Sequence, residues 1–269
     1  MNKSQMGAAQ RALVTGATSG IGAALARRFA QAGHELVLIG RSADRLELLR
    51  QDLVRQHRAK PIAITADLTE DGAAAKLAAT LKRRRLPIDI LVNNAGVNHQ
   101  GSFKDMAPAK HQEIIRLNIA AATDLLAHFI PPMVARGHGR VLNLVGTAAF
   151  LPVPFMATYA ASKAYLLSLT ESLSEELYGS GVTISALCPG VTATPMMDRI
   201  KAANPRYVRL VAATVSNVDE VAAAGYDACM RGDVIRIPGS VNLLTTIAGR
   251  TMPKWVIRRV VGLVGRMGM

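Results

Sequence analysis

Along this chain, short and nearly continuous apolar runs alternate with longer segments in which apolar positions recur every three or four residues. The runs are Ala12-Leu13-Val14, Leu36 to Ile39, Ile62-Ala63-Ile64, Ile88 to Val92, Val141 to Val145 and Val182 to Leu187. They are too short for helices and lack the polar alternation of a half-exposed strand, so they predict strands buried on both faces. The periodic segments, Ala23 to Ala32, Ala43 to His57, Ala73 to Arg84, Lys110 to Arg136 and Ala157 to Gly179, predict helices. Strand followed by helix, repeated, is the order of a parallel sheet covered on both faces. The expected fold is therefore a doubly wound α/β sheet of the Rossmann type in a single domain.

After about Val191 the pattern changes, and Pro195, Pro205, Pro238 and Pro253 divide the chain into short pieces. This predicts a dinucleotide-binding catalytic domain over residues 1–240 and a C-terminal helical extension over 241–269. In that extension Pro253 can open a helix with Trp255, Val256, Val260, Leu263 and Val264 on an apolar face. Arg258, Arg259 and Arg266 would lie beside or opposite it. Three fates fit this composition: peripheral contact with an anionic membrane surface, docking on a partner subunit, or packing on its own domain.

Composition narrows the function classes. Half of the 269 residues are apolar and 19% are charged, which excludes a disordered chain. The net charge of +13 has local sources in Arg27-Arg28, in Lys82 to Arg85, and in a tail without an acidic residue after Asp233. Such charge favours polyanions, anionic surfaces or phosphorylated ligands. Nucleic acid is not expected as a partner, because aromatics are 4% and no basic stripe alternates with stacking residues. Cys188 and Cys229 predict two buried reduced thiols, which suits the cytoplasm, and the six scattered histidines predict no metal site. The opening MNKSQMGAAQR lacks the apolar core of a secretory signal, and no uninterrupted apolar run reaches membrane-spanning length.

The first strand runs into a glycine-rich turn, Thr15-Gly16-Ala17-Thr18-Ser19-Gly20-Ile21-Gly22, and then at once into a helix. Glycines let the backbone turn tightly and come close to a ligand, while the helix start offers unpaired N–H groups to a pyrophosphate. Dinucleotide binding through Gly16, Thr18, Ser19, Gly20, Ile21 and Gly22 is expected. The end of the second strand reads Gly40-Arg41-Ser42, where an acidic residue would select NAD. A guanidinium there, with Ser42 adding a donor, predicts NADP(H).

Tyr159 and Lys163 stand four residues apart in YAASK and so share a helix face. An ammonium near a phenol stabilises the phenolate and makes the tyrosine a usable acid–base group. Together, TGATSGIG at 15–22, Asp67-Leu68, NNAG at 93–96, Asn118 in RLNIA, YAASK at 159–163 and CPGVTATPM from Cys188 resemble the classical short-chain dehydrogenase/reductase family over roughly residues 10–235. The resemblance implies that Tyr159 transfers the substrate proton, that Lys163 holds the nicotinamide ribose and tunes Tyr159, and that Asn118 supports a water relay. It further implies that Asp67 and Leu68 flank the adenine, that Asn94, Ala95 and Gly96 wall the cofactor, and that Val191 and Thr194 hold the nicotinamide end.

One departure stands out. The family usually places a serine about thirteen residues before the tyrosine, and here that position is Gly146. Thr147 can present a displaced hydroxyl, the substrate or a water can supply the donor, or turnover can be weak or lost. Losing one such hydrogen bond costs ~10²–10³ in rate. The expected function is an NADP(H)-dependent oxidoreductase acting on a small hydrophobic ketone or aldehyde and its alcohol, lipid- or steroid-like, in a homo-oligomer (dimer or tetramer). The alternative is a weakly active or inactive NADP(H)-binding regulatory protein. Apolar walls for the pocket are expected from Val97-Asn98-His99, Phe150 to Phe155 and Val191 to Met197.

Overall fold

A computed structural model describes residues 10–198 and 215–267. Seven parallel strands form one sheet in the order β3-β2-β1-β4-β5-β6-β7. They are β1 (Arg11–Thr15), β2 (Glu35–Gly40), β3 (Ile62–Thr65), β4 (Ile90–Asn93), β5 (Gly139–Leu144), β6 (Val182–Leu187) and β7 (Ile235–Arg236). The chain winds outward from β1 to β3 and then returns to place β4 beside β1, which opens a crevice at the carboxyl ends of those two strands.

Helices cover both faces. On one, α1 (Gly20–Gln31) and α2 (Ala43–His57) bury Leu25, Phe29, Leu46 and Leu53 against Ala12, Val14, Leu36 and Leu38. On the other, α3 (Ala73–Arg83) buries Leu77 and Leu81 against Leu13, Val37 and Ile39. Successive strand residues thus enter opposite cores, which is why these strands carry no polar alternation. Further helices before the tail include α4 (Pro108–Ile115), α5 (Ala122–Arg136), α6 (Ala157–Glu176) and α7 (Val218–Arg231).

Three differences from the sequence expectation have physical causes. The single helix expected over 110–136 contains a π-helical turn, Arg116–Ala121, which separates α4 from α5. By length and composition the run Pro108–Arg136 could cross a membrane, but half of its most apolar window is buried, as befits a core helix. Second, α7 and β7 lie where only short pieces were expected. Helix α7 is built from small residues: a Cβ at Gly225 would come within 2.6 Å of Leu187, so close packing on the sheet replaces a visible apolar stripe. Its start is nonetheless marked by Asn217, whose Oδ1 accepts from Asp219 N at 2.7 Å, and its end by Gly232 with φ +78°. Pro205 lies outside the described residues.

Third, the tail forms α8 (Ser240–Thr251) and α9 (Lys254–Met267), and the residue that α9 buries, Ile257, lies outside the apolar face expected for this helix. Ile257 is buried, whereas Trp255 and Leu263 are 61% and 50% exposed. The side chains of Val260, Val264 and Arg266 lie outside the described ones.

Candidate active site

A cleft of about 630 Å³ opens over the carboxyl ends of the strands, with the glycine turn at one end and Tyr159 and Lys163 toward the other. Backbone geometry builds the first end. Gly16 and Gly20 have φ of +62° and +54°, which side chains rarely adopt. A Cβ at Gly22 would lie 2.3 Å from the Gly16 carbonyl oxygen, so the turn and the first turn of α1 can close together only around glycine. No side chain caps α1, and its first turn holds no acidic residue, leaving its leading N–H groups and positive end for an anion. A pyrophosphate fits this cradle.

The turn is held from below. Thr15 Oγ1 accepts from the backbone N–H of Asn94 and Ala95 at 2.9 and 3.0 Å, and donates to Val92 O at 3.2 Å. Asn94 Nδ2 donates to Thr15 O at 2.8 Å and Gly16 O at 3.2 Å. The Asn94 side chain is therefore a clamp on the glycine turn as well as part of the cleft wall.

Where the adenosine end of a dinucleotide would lie, Arg41, Ser42, Asp67 and Leu68 line the cleft. Arg41 is 61% exposed, with Nη1 3.9 Å from Glu113 Oε1. Ser42 is the N-cap of α2: its Oγ accepts from Arg45 N at 3.4 Å, which leaves its O–H to donate. Arg45 also lines the cleft, one helical turn beyond Arg41, and sequence reasoning missed it. Its position three residues after an N-cap serine, in the first turn of α2, was the available signal. Burial pulls the Asp67 carboxyl upward, but hydrogen bonds from Thr69 N and Oγ1 and the charge of Arg41 outweigh it and hold the group below its ordinary value.

At the other end, α6 brings Tyr159 and Lys163 to one face. Lys163 is 5% exposed, and its Nζ donates to Leu144 O at 2.8 Å while lying 5.7 Å from the Tyr159 ring centre. Desolvation pushes the ammonium down to about 8, and it pushes the Tyr159 phenol up to about 12. Desolvation thus moves the phenol in the direction opposite to the lowering expected from a nearby ammonium. Asn118, in the π-helical turn, accepts from Val97 N at 2.9 Å and donates to Val97 O at 3.0 Å and Ser162 Oγ at 3.1 Å. Gly96 lies between Asn118 and Lys163: a Cβ there would be 3.3 Å from Asn118 Oδ1 and 3.6 Å from Lys163 Nζ.

Gly146 has φ +104°, and a Cβ would find no atom nearer than Pro189 O at 3.7 Å. Space is therefore available, and the backbone conformation is what favours glycine. Thr147 begins a short 3₁₀ turn, Thr147–Ala149, with its N–H donating to Pro189 O at 2.9 Å, and it lines the cleft beside Gly146.

The substrate end is walled by Leu151, Val153, Pro154, Phe155, Met196 and Met197, with Val191 and Thr194 lower down. Asn98 and Gln100 also line it, each with a buried amide oxygen that has no partner, and they were not expected as polar contacts. His99 is instead paired with Glu113 at 2.7 Å. Val261 of α9 completes the wall from a segment remote in sequence. Among the described residues no cluster of side chains could hold a metal ion.

An anion cradle made of backbone and, across one cleft, a phenol beside a desolvated ammonium are the parts a nicotinamide-dependent oxidoreductase needs. Residues 10–205 match the short chain dehydrogenase family, and the chain belongs to that family. Oxidoreductase UcpA of Escherichia coli (strain K12) is 38% identical over 197 residues, covering 72% of this chain and 74% of that protein. Two solved structures are similar over most of the chain. A short-chain dehydrogenase from Sphingobium yanoikuyae in complex with NADPH has a TM-score of 0.78 and 33% identity, covering 89% of this chain and 92% of that one. The bulky-bulky ketone specific alcohol dehydrogenase from Comamonas testosteroni has a TM-score of 0.75 and 30% identity, covering 90% and 92%.

Proposed function

We propose that this oxidoreductase uses NADP(H) to interconvert a hydrophobic ketone or aldehyde and its alcohol, as a homo-oligomer. The observation that carries the reading is one cleft that joins the Tyr159 ring, 5.7 Å from the buried Lys163 ammonium, and an apolar wall at one end to two arginines at the other. The bound nicotinamide supplies or accepts the hydride. Tyr159, a phenol that is neutral near pH 7, gives its proton to the substrate oxygen as negative charge grows there. Lys163 supplies a positive charge behind the phenol, and Asn118 positions the Val97 backbone and Ser162 around both. Thr147 stabilises the substrate oxygen in place of the serine absent at Gly146. Support for the substrate class comes from the methionine-rich wall and from the ketone named for the Comamonas relative.

Arg41 and Arg45 hold the 2′-phosphate of the adenosine ribose. Replacing Arg41 with Ala is expected to weaken NADPH about tenfold in a direct titration, the lower end for a hydrogen bond to a charged group because the guanidinium is exposed. NADH affinity stays unchanged. Equal affinity of the wild-type protein for NADH and NADPH would refute the cofactor assignment. The function as a whole is tested by following NADPH oxidation across bulky and small ketones. Tight NADPH binding without turnover on any of them would favour a regulatory role instead.

A further inference from the structure

We propose that α8 and α9 form a docking surface for an anionic lipid membrane, in the tail that reaches the cleft through Val261. Helix α8 is inside out. Its buried residues are polar: Asn242 is 9% exposed and donates to Pro238 O at 2.9 Å, and Thr246 is 3% exposed. Its outward side carries an apolar stripe, Val241, Leu244 and Ile247, 52%, 66% and 49% exposed, with Thr245 exposed beside it. Across the joint, Met252 and Trp255 continue the exposed apolar surface. In α9, Trp255, Arg259 and Leu263 are spaced four apart on the outer stripe, while Ile257 and Val261 face inward. Of the 15 large hydrophobic side chains exposed among the described residues, seven fall within 241–263, so the exposure is concentrated here and is not general.

Charge identifies the occupant. Residues 234–269 contain six cations (Arg236, Arg250, Lys254, Arg258, Arg259, Arg266) and no acidic residue, and Arg258 and Arg259 are exposed. A two-fold contact with a second copy would bring this basic surface against itself with no acid to answer it. An anionic headgroup layer answers the arginines, and the outer acyl region accepts Trp255 and the leucines. Val261 lies on the inner side of the same helix and lines the cleft, so a lipid-dissolved substrate would meet the cleft at the membrane. That last consequence rests on the substrate proposed above; the docking itself does not.

Trp255 is the sole tryptophan of the chain, which gives a direct probe. The full-length protein is titrated with vesicles of phosphatidylcholine, with and without phosphatidylglycerol. Expected are a blue shift of Trp255 emission and protection from acrylamide only with the anionic vesicles. The double variant Arg258→Gln/Arg259→Gln should bind on the order of thirtyfold more weakly, since each basic residue near such a surface contributes roughly a fivefold gain in partitioning. Leu244→Ser/Ile247→Ser should also weaken binding, and both variants should keep the wild-type melting temperature and NADPH affinity. Indifference to phosphatidylglycerol, or variants that bind as wild type, would overturn the proposal. So would absent vesicle binding together with a change of mass in light scattering for Leu244→Ser/Ile247→Ser, which would assign the face to a second copy. Vesicle binding is read without any ketone: if soluble ketones are not reduced, the proposed function falls and the docking result stands, and the converse holds equally.

Discussion

The two ends of the cleft are made in different ways. The phosphate end is a backbone construction: glycines at positive φ, a helix start without a cap, and the Thr15–Asn94 clamp beneath them. The substrate end is a side-chain construction, assembled from loops near residues 98, 151–156 and 191–197 and from Val261 of α9. Backbone geometry restricts which residue each position tolerates, whereas an apolar wall accepts many residues of similar volume. One end should therefore break on the smallest change, and the other should respond gradually.

The first effect follows at the phosphate end. Gly22→Ala would place a methyl 2.3 Å from the Gly16 oxygen and 2.4 Å from Asn94 Nδ2, so the turn must move. A loss of NADPH affinity of at least about tenfold, with ~1–3 kcal/mol of stability, is expected from titration and thermal melting. A variant that binds normally would show that the cradle is looser than its geometry.

The next effect lies at the junction of the two ends. Thr147→Val should lower kcat/KM about ten- to a hundredfold while NADPH affinity holds, because only a hydrogen bond to the substrate oxygen is lost. Gly146→Ser should not restore the Thr147→Val loss, and it should cost ~1–3 kcal/mol, since its φ of +104° disfavours any side chain. A rescued double variant would contradict this account of the glycine.

A third effect concerns the buried ammonium. Lys163 has a folded pKa of about 8 against an ordinary 10.5. Between those values the unfolded chain holds a proton that the folded chain has released, so stability should rise with pH across that window, by ~3 kcal/mol in total. Tyr159, raised from 10 to about 12, acts in the opposite sense above pH 10. Melting temperatures from pH 7.5 to 9.5 should climb more steeply for the wild type than for Lys163→Met, and parallel slopes would disprove the burial argument.

The same contrast explains what could be read from the sequence. The glycine turn, Arg41, the Tyr159–Lys163 spacing and the first six strands depend on local order and period, and all were legible. Arg45, Asn98, Gln100 and Val261 were not, because what joins them is the meeting of distant segments around one cleft. Helix α7 escaped because small residues pack closely without leaving a stripe. In α9, apolar residues occur all round the helix, so periodicity alone could not show that Ile257 and Val261 turn inward while Trp255 turns out.

The central claim is that Tyr159 delivers the proton in a cleft whose cofactor end is independent of it. The direct measurement is steady-state kcat/KM of Tyr159→Phe for a reducible ketone, with NADPH affinity titrated in the same samples. The account predicts a fall of at least ~10²–10³ in kcat/KM, the contribution of a positioned proton donor, with NADPH affinity within about twofold of wild type. A Tyr159→Phe protein that turns over at the wild-type rate would contradict it.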